Sequence, residues 1–135
     1  RHVATQGDVH APGFYLHLDP AGSFVGVGLW RPDGPSARLI RQGNVDRPKV
    51  WTAVTTNPDF MSTFAQEGES LKRPPRGFDP DHEHIEDLKR KDFIAVKDLA
   101  LEDAIGPRFQ QKVETASRAA TPYMTFLCKA VDVPF

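Results

Sequence analysis

The chain has 135 residues, enough to bury a core without disulfide or metal staples. Its 17 basic and 18 acidic residues leave a formal charge of -1, so the overall balance argues for no nucleic acid and no anionic membrane as partner. Cys128 is the only cysteine, which excludes an internal disulfide and a thiolate metal cluster and fits a reducing, cytoplasmic setting.

No run reaches the roughly 18 apolar residues of a membrane span, and no signal peptide is visible. The chain opens at Arg1 without a methionine, so N-terminal sequence is expected to be missing. Residues 1–12 are polar and read as a strand end or loop. From Phe14 to Asp19 the pattern has period two, with Phe14, Leu16 and Leu18 on one face and Tyr15 and His17 on the other, which predicts a strand. Asp19-Pro20-Ala21-Gly22 is a turn, and Ser23 to Trp30 is the second strand of a β-hairpin ended by Pro32. Gly26 and Gly28 share a face, and a helix packed flat across it is the expected reason for them.

Pro35 suits the first turn of a helix that Gly43 or Asn44 would stop. Asp46 is expected to cap the next helix, which carries Val50, Trp51 and Val54. Asn57-Pro58 reads as a cap and a short helical turn, and Phe64 to Glu67 as a brief strand. Lys72 to Pro80, with three prolines and a glycine, is predicted to be a stiff extended loop. Asp81 then caps a helix over His82 to Arg90, in which Glu86 with Arg90 and Asp87 with Lys91 have the favourable i, i+4 order. Phe93 to Val96 is another strand, Leu101 to Ile105 a helical turn, and Pro107 opens a longer helix that Thr121-Pro122 would interrupt before a last helix. Strands at both ends of a helical middle predict one α+β domain, residues 1–135, with an antiparallel sheet and a hairpin near the N-terminus.

The polar chemistry gathers in Glu69 to Phe93. Lys72, Arg73 and Arg76 lie within five positions on the stiff loop, an arrangement that can hold an anion at low entropic cost. The carboxylates that follow can instead neutralise these cations in surface pairs. His82 and His84 stand two apart, about 200° around a helix, so they do not make one metal site; a capping or solvated pair is the plainer reading. His17 and Tyr15 are candidate ligand-binding groups if their sheet face forms a cleft, with Trp30 and Arg31 at its end. Gly26-Val27-Gly28 lacks the pattern of a nucleotide-binding loop, and no nucleophile elbow or cofactor motif is present, so no cofactor is expected.

The segment FYLHLDPAGSFVGVGLWRP from Phe14 to Pro32 resembles the hairpin of the DUF2461 family of proteins of unknown function. Leu71 to His82, followed by Ile85, Leu88 and the strand start Lys91-Asp92-Phe93-Ile94, resembles the same family. Glu83 replaces the proline usual there, and Val27 stands where a third glycine is common. The resemblance implies that this is the C-terminal two-thirds of a longer member lacking its N-terminal helices, and it carries over no catalytic residue, so enzymatic activity stays open. Two readings result. One is a small anionic ligand bound by Tyr15, His17, Lys72, Arg73, Arg76 and His82, in a cleft between the hairpin and the Lys72–Pro80 loop. The other is a non-catalytic scaffold or protein-interaction module.

Overall fold

Val27, Leu29, Phe93 and Ala95 share one face of the two central strands, and there they join the main core together with buried residues of the helices. The computed structural model describes residues 12–133. Strands β1 (Gly13–His17) and β2 (Ser23–Leu29) form the expected hairpin. Its turn is closed by the Gly22 N–H on the Asp19 carbonyl at 3.0 Å and the Ala21 N–H on the Asp19 carboxylate at 2.8 Å. Strand β3 is Ala65–Glu67, and β4 is Phe93–Leu99. The sheet runs β1-β2-β4-β3, all antiparallel, so the fold is α+β as expected.

Six helices complete the described part: α1 (Gly34–Asp46), α2 (Pro48–Thr55), α3 (Pro58–Thr63), α4 (Ile85–Leu88), α5 (Leu101–Ile105) and α6 (Phe109–Ala130). Val27 and Leu29 of β2, with Phe93 and Ala95 of β4, meet the apolar stripe of α6, where Ala116, Ala120, Tyr123 and Leu127 are buried. Trp51 of α2 packs 4.9 Å from the Phe126 ring, and Phe60 of α3 packs 4.9 Å from Tyr123. Among the described residues no helix is long and apolar enough to cross a membrane.

Several local expectations change. Helix α1 does not stop at Gly43 or Asn44, because Gly43 faces α6 so closely that a Cβ would lie 3.2 Å from that of Ala130. The glycine serves helix packing, and the Asn44 amide donates to the Ile40 carbonyl within the same helix. Asp46 does not cap α2; its carboxylate accepts from Gln42 instead, and Arg47 occupies the cap position without a side-chain bond. Asn57 does cap α3, accepting from the Phe60 N–H at 3.1 Å. Pro122 lies inside α6 and does not divide it. A buried stripe that runs from Ala116 to Cys128 outweighs the one backbone bond that proline removes.

Helix α4 begins at Ile85, three residues later than predicted. Asp79 folds its carboxylate onto the Asp81 N–H at 2.9 Å and turns the chain before the helix can start. The polar stretch read as strand end or loop lies, up to residue 11, outside the described residues. The atoms nearest to a Cβ on either glycine belong to strands, not to a helix. A Cβ on Gly26 would meet Ile94, Phe24 and Tyr15 side chains at ordinary distances, whereas Gly28, at φ +123, lets the Phe93 carbonyl come within 2.0 Å of where a Cβ would sit. Gly28 therefore answers to the neighbouring strand.

Candidate functional site

Asp92 is the pivot of the polar end of the sheet. It immediately precedes β4, is 6% exposed, and its two carboxylate oxygens accept from the Arg31 N–H at 2.7 Å and the Glu69 N–H at 3.0 Å. These amides belong to the chain leaving β2 and the chain leaving β3, so one carboxylate ties both exits to β4. The backbone conformations there are special: Arg31 has φ 49, and Gly68 has φ 106 with Asp92 against its Cα. Beyond Glu69 the Lys72–Pro80 loop starts from a short extension of the sheet, where Leu71 donates to the Lys89 carbonyl and Lys91 to the Glu69 carbonyl. It then reaches α1, with the Arg38 guanidinium 5.5 Å above the Phe78 ring and against Gly77.

A hollow of about 390 Å³ lies between these elements, lined among others by Arg31, Ala37, Arg41, Glu69, Lys91 and Asp92. Arg41 projects from α1 into fixed geometry: Nε donates to the Leu88 carbonyl at 2.8 Å and Nη2 to the Arg90 carbonyl at 3.0 Å. Burial pulls its pKa down, and the nearby Arg38 charge adds to this, yet a guanidinium stays protonated at neutral pH. Among the described residues no carboxylate is in ion-pair range of Arg31, Arg38 or Arg41. Lys91 has Glu69 at 3.8 Å, an exposed and loose pair.

Helix α4, whose Leu88 carbonyl holds Arg41, is itself pinned to its neighbours. Asp87 accepts from the Trp51 indole at 2.9 Å and from Arg90 Nε at 2.8 Å. His84 Nε2 donates to the Pro48 carbonyl at 3.0 Å. Arg90 pairs with Asp87 and Lys89 with Glu86, both at i, i+3, in place of the expected i, i+4 pairs. A helix of four residues ends before i+4 partners can align.

Lys72, Arg73 and Arg76 are exposed on the loop, and among the described residues none makes an ion pair. The surface pairing weighed from sequence is therefore absent there. Their loop approaches α1 through Gly77 and Phe78. Tyr15 leans toward the same end of the sheet. Its phenol is pushed up in pKa by burial and held back by the backbone amide of Trp30 beside it. His17 is at the other end. It pairs with Phe24, stacks on that ring at 5.1 Å and has Asp19 at 3.9 Å. From Phe24 to Leu29 is roughly 16 Å of strand, so His17 is remote from the hollow. His82 uses Nδ1 to accept from the His84 N–H at 3.0 Å, a turn-forming role. Among the described residues no group of three or more His, Cys, Asp or Glu is placed to hold a metal ion.

Sequence reasoning did not single out Arg41, Lys91 or Asp92 as site residues. Arg38 and Arg41 at i, i+3 of a predicted helix were a readable signal of a cationic face. Asp92 gave none, since its partners are backbone amides distant in sequence. The family model described as "Conserved hypothetical protein (DUF2461)" matches residues 2–126, most of the chain. No curated protein and no solved structure matches.

Proposed function

The chain belongs to the DUF2461 family, and from that premise we propose that it binds a small anionic molecule, a carboxylate or a phosphate, in the hollow beside α1. The observation that carries this reading is Arg41. Two main-chain carbonyls hold its guanidinium still, and Nη1 keeps its donors for a ligand. Arg31 and Lys91 add two further charges around about 390 Å³, a volume suited to a small molecule. Lys72, Arg73 and Arg76 form an outer basic rim on the loop that abuts Arg38, where they raise the local concentration of anions. Tyr15 belongs to the same end of the molecule, and His17 and His82 do not take part. Asp92 acts on the backbone only, so its charge is already answered by two N–H groups.

The test is a thermal-shift and calorimetric titration at low salt with inorganic phosphate and with citrate. Saturation at 100 times Kd adds about 2.7 kcal/mol of stability. Arg31→Gln and Lys91→Gln, both on exposed side chains, should each weaken binding about tenfold. Equal affinity in wild type and both variants refutes the reading. The interaction-module alternative rests on Trp30, which is half exposed beside Arg31. It gains ground if no anion binds while the Trp30→Ala protein loses a partner that wild type retains.

A further inference from the structure

A second cluster of cations lies at the opposite end of β4. Lys97 is five residues along the strand from Asp92, about 17 Å away. Around it is a separate hollow of about 250 Å³, lined by Thr63, Lys97, Arg108, Gln111, Lys112 and Thr115. These come from three elements: the end of α3, the core-side row of β4, and the first two turns of α6. Every one of the six side chains carries a hydrogen-bond donor, and the lining contains no carboxylate. Among the described residues none of the six side chains makes a hydrogen bond or an ion pair.

The arrangement works against stability. The first turn of α6 contains no acidic residue, and Arg108 holds its cap position without a side-chain bond. Cations beside the positive end of a helix dipole are unfavourable, and two of the three stand there. Neutralising partners are near in sequence but turned elsewhere: Glu114 takes the Gln110 amide. Local charge rules are broken together at one concave spot, which is the pattern of a site.

We propose that this hollow is a second anion site, separate from the one beside α1, and that it takes a doubly charged tetrahedral oxyanion, a phosphate or sulfate group on a small molecule. Three positive charges more than neutralise such a group, with one left over, and the Thr63 and Thr115 hydroxyls and the Gln111 amide donate to its remaining oxygens. The N–H groups of the first turn of α6 lie at the same end of the helix, although that of Phe109 already donates to the Gly106 carbonyl at 3.3 Å. A singly charged carboxylate leaves two positive charges in excess, not one, and binds more weakly.

The test uses the full chain, labelled with ¹⁵N and titrated with inorganic phosphate, sulfate and acetate at constant ionic strength. Phosphate and sulfate should give saturable shifts at the Thr63, Gln111 and Thr115 amides, with acetate binding about tenfold more weakly. Arg108→Gln and Lys112→Gln, each on the rim, should weaken phosphate about tenfold at these amides. Lys91→Gln should leave these shifts unchanged, and Lys112→Gln should leave binding beside α1 unchanged, so either site can fail alone. Shifts that do not saturate, that acetate or chloride reproduces equally, or that survive both variants overturn the proposal.

Discussion

Replacing Asp92 by asparagine changes no volume and removes one charge, so it isolates what the carboxylate does. In the native protein both oxygens accept backbone N–H groups, at 2.7 Å from Arg31 and 3.0 Å from Glu69. Hydrogen bonds to a charged acceptor contribute about 1.5–3 kcal/mol each, and neutral ones about 1 kcal/mol. The amide keeps one acceptor oxygen, so one bond weakens to the neutral value. Its NH₂ group then faces the other backbone donor, and that bond is lost. Water reaches the exposed Arg31 and Glu69 edges and offsets part of this, leaving an expected loss of about 2–3 kcal/mol. Urea denaturation followed by circular dichroism measures it. With a slope of roughly 1.5 kcal/mol per M, the midpoint should fall by about 1.3–2 M at unchanged slope. A fall below about 0.5 M would mean that solvent serves these amides as well as Asp92 does, and the argument for a rigid hollow would fail with it.

The two sheet glycines should behave oppositely. Gly28→Ala places a Cβ 2.0 Å from the Phe93 carbonyl at φ +123, so it should cost more than about 3 kcal/mol or prevent folding. Gly26→Ala meets nothing closer than 3.6 Å and should lie within about 0.5 kcal/mol of wild type by the same denaturation assay; similar losses at both positions would contradict the assigned contacts. Tyr123→Phe removes a hydroxyl that is buried without a partner, so stability at neutral pH should hold or rise by up to about 1 kcal/mol. Burial pushes the Tyr123 phenol well above its ordinary range, with Arg90 pulling weakly the other way. The folded state therefore keeps a proton that the unfolded chain loses near pH ~10, and stability present below that pH declines above it by up to about 1.4 kcal/mol per unit. The Phe variant should show a shallower alkaline decline, and parallel curves would refute the assignment.

What could be read from the chain divides by range. The hairpin was legible because its two strands and the Asp19–Gly22 turn are contiguous, and the Asn57 cap and the short helix Leu101–Ile105 are equally local. Gly43 and Pro122 misled because each carries a strong local signal that contact with α6, or the packing of α6 itself, overrides. The basic loop was legible as a cluster of charge, but its neighbour was not. It borders α1 through Arg38 and not the outer end of the hairpin, and nothing in the spacing of Lys72 to Pro80 selects one over the other. The hollow was hidden for the same reason. Its walls come from positions near 31, 41, 69 and 91, and only the sheet order brings β2 and β4 together to close it.

Near-neutral composition makes the unpaired cations informative. With 18 acidic residues for 17 basic ones, the chain has enough carboxylates to give nearly every cation a partner. Among the described residues it pairs Lys89, Arg90 and Lys91, all on the short segment leading into β4. Among the described residues it leaves Arg31 and Arg41 without an ion pair around one hollow, and Lys97, Arg108 and Lys112 around another. Shortage does not explain this; placement does. Exposed pairs add under about 1 kcal/mol each, so folding loses little when they are omitted. A concave wall of unpaired donors gains far more when a multiply charged ligand meets several at once. That gain is electrostatic, so binding at both hollows should weaken as salt rises, and more steeply at the one that contains no carboxylate.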